Sequence, residues 1–157
     1  MEKVTIVSPT KELLKELSEH LSAGDVKLCL IHSRSTPLEC LYEAFDKGEV
    51  VGIGMIGEKP VMTIMVRPCV WPLGSLLCKY GFISIVASDL AREYPKAFIQ
   101  HSKRITDNLL SFFDGLVACT DSTDKRAMRY DAFLGFEDSG QEIIKDGKPF
   151  KYLLKTA

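Results

Sequence analysis

Hydrophobic and polar positions alternate with a period of two over Lys3–Ser8, which predicts a first strand there. The spacing then changes to that of a helix, which we expect to begin at Ser8-Pro9, where a missing N–H is tolerated, and to end at Gly24. The apolar stripe of this helix consists of Leu13, Leu14, Leu17 and Leu21. The next apolar run, Val26–Ile31, is compatible with a strand or with irregular packing.

A second helix has a recognisable beginning and end. Thr36-Pro37-Leu38-Glu39 is a capping box, in which the threonine hydroxyl accepts from the Glu39 N–H and the glutamate reaches back. Gly48 ends this helix, whose buried stripe consists of Leu38, Leu41, Tyr42 and Phe45. We therefore expect two helices between the first strand and the second.

Two apolar runs, Glu49–Ile56 and Val61–Val66, flank the turn residues Gly57-Glu58-Lys59-Pro60 and predict a β-hairpin. Gly52 and Gly54 alternate inside the first of these strands. Glycine within a strand indicates that a neighbouring element approaches closely, whereas a phosphate-binding loop needs its glycines between a strand and a helix. We interpret both glycines as packing positions.

The second half of the chain alternates strands and helices. After an irregular segment, Arg67–Gly81, the predicted elements are the strand Phe82–Ala87, the helix Lys96–Phe113, the strand Leu116–Thr120, the helix Asp124–Leu134 and a hairpin of Glu142–Ile144 and Phe150–Leu154 around Asp146-Gly147. This order predicts an α/β fold of the mixed α+β kind, with a central mixed twisted sheet and helices on both faces, in a single domain over 1–157.

The charge and composition of the chain argue against binding to nucleic acid or to a membrane. A net charge of −1 and a pI near 6.3 provide no field that would draw the chain to nucleic acid or to an anionic membrane. The apolar runs are far shorter than the ~20 residues that cross a bilayer, and the N-terminus lacks the layout of a secretion signal. We therefore expect no membrane association, no specific nucleic acid and a cytoplasmic location.

The five cysteines and three histidines do not suggest a metal centre. The cysteines lie in or beside apolar runs without any Cys-x-x-Cys pair, at Cys29, Cys40, Cys69, Cys78 and Cys119. This is typical of reduced thiols that pack as small hydrophobic groups, a disulfide scaffold or a zinc site being the alternative. His20, His32 and His101 have no partners at metal spacing, so we expect no metal.

The stretch Asp124–Phe136 carries the most specific pattern: an acid-capped helix after an apolar run, closing on Leu134-Gly135-Phe136. It resembles the last helix of GNAT (Gcn5-related) acetyltransferases, which reads Asn-x-x-Ala-x-x-x-Tyr-x-x-Leu-Gly-Phe. Asp124 stands at the Asn position and Asp131 at the Tyr position. The order of the predicted elements is also that of this family, so the resemblance implies a GNAT fold.

Three further segments resemble those of one particular group of GNAT-like proteins. Ser35-Thr36-Pro37-Leu38, Val86-Ala87-Ser88-Asp89 and Pro95-Lys96-Ala97-Phe98 are similar to segments of small GNAT-like proteins of short-tailed phages, some of which are internal virion proteins. The resemblance implies a virion or assembly component that contacts other phage or host proteins, located in the host cytoplasm or in the phage particle.

The resemblance also places an acetyl-coenzyme A phosphate loop at Ser88–Ala97. This stretch has no glycine, and it contains Asp89, Glu93 and Pro95, which supply two negative charges and one missing N–H. Asp131 would be a poor proton donor unless desolvated, and Tyr130 lies ~100° away around the helix. We therefore expect no cofactor, no catalytic residue and a catalytically degenerate protein.

The alternative is an acyl-coenzyme A-dependent N-acetyltransferase acting on a small amine or a host protein. The resemblance then implies cofactor binding by Val86, Ser88, Arg92, Lys96 and Asp124. A backbone amide of the central strand would polarise the thioester carbonyl.

Two features could bind a protein partner. The last two helices carry Lys96, Lys103, Arg104, Lys125, Arg126 and Arg129, which form either a solvated face or a docking surface for an acidic partner, with Arg126 and Arg129 as the candidate contacts. Trp71, flanked by Pro68 and Pro72, is either a loop anchor in the core or an exposed contact residue. An exposed Trp71 would also suit a host-takeover factor that binds a bacterial protein.

Overall fold

The computed structural model of the protein describes residues 3–69 and 77–157, apart from the side chains of His32 and Ser33. Within these ranges the elements are β1 (Val4–Val7), α1 (Lys11–Ser18), α2 (Ala23–Ser33), α3 (Pro37–Asp46), β2 (Val50–Ile56), β3 (Lys59–Cys69), β4 (Tyr80–Ala87), a 3-10 helix (Asp89–Glu93), α4 (Pro95–Leu109), β5 (Gly115–Asp121), α5 (Lys125–Phe133), β6 (Glu137–Lys145) and β7 (Lys148–Thr156).

The strands of the described ranges form one sheet in the order β1-β2-β3-β4-β5-β7-β6. β4 and β5 are parallel, whereas β1 with β2, β2 with β3, β5 with β7 and β6 with β7 are antiparallel. The sheet is therefore mixed, and the predicted α/β class is confirmed.

The chain forms two compact units, the first made of Met1–Val66 with Ser84–Phe98 and the second of Arg67–Ile83 with Ile99–Ala157. In the first unit, α1, α2 and α3 cover a core that includes Leu14, Leu41, Ile53 and Val86. In the second unit, the buried side chains include Leu116, Val117, Phe150 and Leu153 of β5 and β7. The single domain over 1–157 stays a prediction.

The region between β1 and β2 contains three helices, so the expectation of two was wrong. Thr10, not Ser8-Pro9, caps α1 by accepting from the Leu13 N–H at 3.2 Å, and α1 ends at Ser18 rather than at Gly24. Val26–Ile31 lies in α2, because the Ser22 hydroxyl accepts from the Asp25 N–H at 3.2 Å and begins a helix there. Gly24 lies inside that helix.

The other predicted elements are present, with shifted ends. Thr36 caps α3, and Gly48 follows it at φ 71°. β6 and β7 are longer than predicted and are joined by Asp146 and Gly147 at φ 48° and 76°. The long helix α4 ends at Leu109, and its chain continues in tighter turns in which the Phe112 N–H donates to the Leu109 carbonyl at 2.9 Å. This change of period leaves the Phe112 side chain 69% exposed.

Gly54 confirms the interpretation of the strand glycines as packing positions. A Cβ atom at Gly54 would lie 2.5 Å from Met62 Cγ and 2.9 Å from Phe98 Cε1. We expect Gly54→Ala to lower the free energy of unfolding by about 1–2 kcal/mol, because the added methyl group forces core side chains apart. Chemical denaturation measures the change.

Gly24→Ala is the matched control for this prediction. Nothing lies within 4 Å of the added methyl group, and Gly24 is helical, so this variant should be as stable as the unaltered protein or more so. Equal losses in the two variants would contradict the packing role of Gly54.

Candidate functional site

Residues at the beginning of α2 form hydrogen bonds to the backbone at the carboxyl end of β4, which we call the sealed end of β4. The Ser88 N–H donates to the Val61 carbonyl of β3 at 2.8 Å, so the backbone groups of Ala87 face the opposite edge of the strand. There the Ala87 N–H donates to Asp25 Oδ2 at 2.8 Å, and the Ser22 N–H donates to the Ala87 carbonyl at 3.0 Å. Both polar groups of Ala87 are thus bonded within the first unit.

Ser22 and Asp25, which form the hydrogen bonds to Ala87, also begin the helix α2. Ser22 caps the helix with its side chain while its own N–H bonds to Ala87, and Asp25 stands in the first turn of α2. Neither residue was among the predicted site residues. Ser22-Ala23-Gly24-Asp25 has the Ser-x-x-Asp spacing of a helix beginning, so the cap was detectable in the sequence, but its contact with Ala87 was not.

The segment that follows β4 does not form a glycine-lined phosphate loop. Ser88 leads into the 3-10 helix Asp89–Glu93, and α4 begins directly afterwards at Pro95. Asp89 and Glu93 are exposed, and their charges disfavour a phosphate group at this position. Ser88 Oγ is buried without a hydrogen-bond partner among the described residues.

The five predicted cofactor residues are divided between the two units. Four of them, Val86, Ser88, Arg92 and Lys96, lie in the first unit, and Asp124 lies in the second. The Val86 side chain belongs to the core, and the Arg92 guanidinium is 3.8 Å from the Asp89 carboxylate. Lys96 is exposed. Asp124 is the N-cap of α5, with its Oδ1 accepting from the Ala127 N–H at 3.0 Å.

Asp131, at the position that matches the GNAT tyrosine, is largely desolvated. Burial raises the pKa of its carboxyl group to about 6, although a hydrogen bond from the Thr120 hydroxyl, at 2.6 Å, opposes the shift. A carboxyl group with this pKa is partly protonated near neutral pH. Asp131 is therefore desolvated, but most of these carboxyl groups remain ionised at pH 7.

Tyr130 is directed to α4. Its hydroxyl group donates to Ser102 Oγ at 2.6 Å, and burial raises the pKa of the phenol to about 12, so Tyr130 keeps its proton. This bond joins α5 to α4 within the second unit. Tyr130 is therefore a structural contact between α5 and α4.

One side of α5, which we call the α5 outer face, is exposed and positively charged. It consists of Lys125, Arg126, Arg129, Ala132 and Phe133, all exposed at helical spacing. Neither Arg126 nor Arg129 forms an ion pair with a described residue. On α4, by contrast, Lys103 is paired with Asp107 at 3.1 Å. Trp71 lies outside the described residues.

Over residues 3–69 and 77–157, no three His, Cys, Asp or Glu side chains lie close enough together to hold a metal ion. None of the helices in these ranges has the length and apolarity needed to span a membrane.

No protein-family model and no curated protein matches the chain, but solved structures match nearly all of it. The aminoglycoside acetyltransferase AAC(6')-Ib in complex with coenzyme A and kanamycin is 15% identical, with a TM-score of 0.68 over 98% of this chain and 95% of that one. The ribosomal-protein-S5-alanine acetyltransferase from Vibrio fischeri is 12% identical, with a TM-score of 0.67 over 99% and 94%. A spermidine N-acetyltransferase SpeG chimera from Vibrio cholerae and hSSAT is 10% identical, with a TM-score of 0.67 over 98% and 95%.

These likenesses show the fold. The chain has the fold of GNAT acetyltransferases, as the predicted order of elements and the pattern at Asp124–Phe136 indicated.

Proposed function

We propose that this chain is a catalytically degenerate GNAT-fold protein that acts through protein contacts, as an internal virion or assembly component of a phage. The observation that carries the loss of catalysis is the sealed end of β4, where Asp25 and Ser22 bond both backbone groups of Ala87. The assignment to a phage particle is supported by the sequence resemblance alone.

The sealed strand end opposes acyl transfer for two physical reasons. Polarising a thioester carbonyl requires a free backbone N–H that points at the oxygen where negative charge develops. The Ala87 N–H is already donated to a carboxylate, and such a charge-assisted bond is about twice as strong as one to a neutral carbonyl. The Asp25 charge would also repel the developing oxyanion.

Coenzyme A does not fit the segment that follows β4. Pyrophosphate binding needs several backbone N–H groups that converge on the phosphates. Here the segment is a 3-10 helix with exposed acids at both ends, and Pro95 lacks an N–H where α4 begins. Losing several bonds of ~1.5–3 kcal/mol each would weaken the affinity by orders of magnitude.

A titration with acetyl-coenzyme A tests the degenerate site. We expect calorimetry to detect no binding by the unaltered protein up to millimolar ligand. Asp25→Ala, which frees the Ala87 N–H, should not restore tight binding, because the phosphate segment is unchanged. Micromolar binding by the unaltered protein would overturn the proposal.

The α5 outer face is the contact surface that best suits a protein partner. Arginine and aromatic side chains contribute most of the binding energy in protein interfaces, and Arg126, Arg129 and Phe133 combine both types on one exposed stripe. Since this face contains no acidic residue, it favours an acidic partner.

Charge reversal tests this surface. We expect Arg126→Glu with Arg129→Glu to abolish copurification with phage particles. Lys15→Glu with Lys27→Glu is the matched control, because it changes the net charge equally at two exposed lysines of the first unit. Copurification that survives in both variants would exclude the α5 outer face, and the absence of any copurification would exclude the virion role.

A second candidate is an acyl-coenzyme A-dependent N-acetyltransferase with an unusual phosphate segment, acting on a small amine or a protein. The comparisons support it more directly than they support the virion role, because the matching structures include acetyltransferases in complex with coenzyme A. The desolvated carboxyl group of Asp131 also favours it.

Arg92 and Lys96 would hold the phosphates, with Val86, Ser88 and Asp124 as the other cofactor contacts. Replacing Arg92 and Lys96 with alanine should then abolish turnover, and retained turnover would refute this assignment of the phosphate contacts.

A further inference from the structure

The outer side of α1 carries three carboxylates, which we call the α1 acidic stripe. It consists of Glu12, Glu16 and Glu19, all exposed and at helical spacing. Leu14 and Leu17, on the opposite side of the helix, are buried. None of the three carboxylates forms an ion pair with a described residue. The stripe is therefore an exposed anionic surface whose charges are not matched by an ion pair in this part of the chain.

The placement of these carboxylates is unfavourable for α1 itself. Glu16 and Glu19 stand at the carboxyl end of the helix, where the helix dipole favours cations, and each is one turn from another carboxylate. Lys15 flanks the stripe, but it forms no ion pair with a described residue. Lys11 is paired with Asp46 at 3.1 Å. Neither lysine is therefore bonded to the stripe.

The α5 outer face has the opposite arrangement of charge. Lys125 and Arg126 lie in the first turn of α5, where the helix dipole favours anions, and Arg129 follows within one further turn. The N-cap residue Asp124 supplies a carboxylate there, which accepts from the Ala127 N–H. Cations thus gather at the positive end of α5, as carboxylates gather at the negative end of α1.

We propose that the acidic partner of the α5 outer face is the α1 acidic stripe of a second copy of this chain. The proposal rests on the proposed use of the α5 outer face as a contact surface. Pairing brings Arg126 and Arg129 of one copy to Glu16 and Glu19 of the next, and it places the positive end of one helix dipole beside the negative end of the other. Charges that repel one another within each helix are then neutralised between copies.

The two surfaces also agree in length. Glu19 is seven residues after Glu12, and Phe133 is seven residues after Arg126. Each stripe therefore spans ~10.5 Å at a helical rise of ~1.5 Å per residue. A net charge of −1 adds little overall repulsion between copies.

This contact joins two different surfaces, so it is a head-to-tail contact. Each copy binds one neighbour through α1 and another neighbour through α5. Repetition of such a contact gives a ring where the rotation closes and a filament where it does not. Either product suits an assembly component.

Sedimentation equilibrium of the purified full chain tests the contact. At low ionic strength we expect the average mass to rise above that of one chain as the protein concentration increases. We expect it to return to the mass of one chain near ~1 M salt, where the Debye length is ~3 Å. The mass of one chain at every concentration, or association that salt does not weaken, would overturn the proposal.

Charge reversal locates the two surfaces. Arg126→Glu with Arg129→Glu, and separately Glu16→Arg with Glu19→Arg, should each weaken the association by about tenfold or more, because like charges then face each other. The chain with all four substitutions should associate as the unaltered protein does, since its net charge is again −1 and each pair is restored with exchanged signs. Each reversal agrees with the dipole of its own helix, so we expect the variants to fold. No recovery in the fourfold variant would refute the pairing of α1 with α5.

Glu58→Arg with Glu142→Arg is the matched control for the α1 variant. It changes the net charge equally at two exposed acids outside α1, and it should leave the association unchanged. An equal loss in this control would overturn the assignment to α1.

Failure of this inference is distinguishable from failure of the proposed function. The purified protein could remain a single chain while Arg126→Glu with Arg129→Glu still abolishes copurification with phage particles. In that case the α5 outer face binds a different protein, and the assignment to a second copy is wrong.

Discussion

Asp131→Asn is expected to raise the free energy of unfolding by about 2 kcal/mol near pH 8 and to change it little near pH 4. Burial raises the pKa of the Asp131 carboxyl group from 3.8 to about 6 in the folded chain. A shift of about two pKa units corresponds to at most about 3 kcal/mol. Asparagine keeps an oxygen that accepts from the Thr120 hydroxyl and has no charge to desolvate.

The sign of this effect follows from which state releases its proton first. As the pH rises through 3.8, the unfolded chain loses the Asp131 proton, whereas the folded chain keeps it until about pH 6. The stability of the unaltered protein therefore falls between these values and stays lower above them. The asparagine variant lacks this fall, so the two stability curves should diverge as the pH rises.

Denaturant titrations at a series of pH values measure the stability of the unaltered protein and of Asp131→Asn. Asp138→Asn is the control, because the pKa of Asp138 is shifted in the opposite direction to that of Asp131. The Gly140 N–H and Lys151 hold the pKa of the exposed Asp138 carboxyl group below its usual range. Its contribution to stability is present above the unfolded pKa and is lost as the pH falls through the lowered one, so its removal should not stabilise the protein at pH 8. An Asp131→Asn gain that is equal at pH 4 and pH 8 would contradict the desolvation of Asp131.

The strands and the ends of α3 and α5 were predictable because local chemistry determines them. Thr36 begins α3 and Gly48 follows it, and Asp146 with Gly147 forms the predicted tight turn at positive φ. The helix α2 was missed because Val26–Ile31 is a continuous apolar run, whose period does not separate a strand from a buried helix. The capping pattern that begins at Ser22 indicates this helix better than the apolar run does.

Contacts between distant residues were not predictable from the sequence. Asp25 and Ala87 are 62 residues apart, and no periodicity or motif indicates that an early carboxylate would bond the end of the central strand. The pattern Asp124–Phe136 located the last helix correctly, but the desolvation of Asp131 depends on residues packed around it in space. The replacement of the GNAT tyrosine was thus visible in the sequence, and its chemical consequence was not.

Lys155 in β7 shows how a charged residue becomes part of a core. The Lys155 ammonium group donates to Thr106 Oγ1 at 2.8 Å and to Asp107 Oδ1 at 2.6 Å, and the residue is 4% exposed. Gly135, at φ 99°, lies beside the Lys155 side chain, because a Cβ atom built on it would be in ordinary van der Waals contact with Lys155 Cε at 3.4 Å. The side chain thus joins β7, α4 and the end of α5 within the second unit.

We expect Lys155→Ala to lower the free energy of unfolding by about 3 kcal/mol, and Lys155→Met by about 1 kcal/mol. Alanine removes the buried aliphatic stem and leaves a cavity, whereas methionine fills most of that space and loses only the polar bonds. The loss in the methionine variant is small because Asp107, with its side chain 48% exposed, is rehydrated when its partner is removed. Chemical denaturation of the two variants separates packing from charge.

Two further measurements complete this test. They are the pH dependence of the stability of the Lys155 variants and the stability of a control variant at the surface residue Lys148. The hydrogen bond from Lys155 lowers the pKa of the Asp107 carboxyl group, so its contribution is present above the unfolded pKa and is lost as the pH falls through the lowered value. Both Lys155 variants should therefore lose less stability on acidification than the unaltered protein does.

Lys148→Ala, which removes a 3.8 Å pair with Asp121 at a partly exposed site, should cost no more than about 0.5 kcal/mol. If Lys155→Ala costs no more than Lys148→Ala, then Lys155 contributes nothing to the core of the second unit.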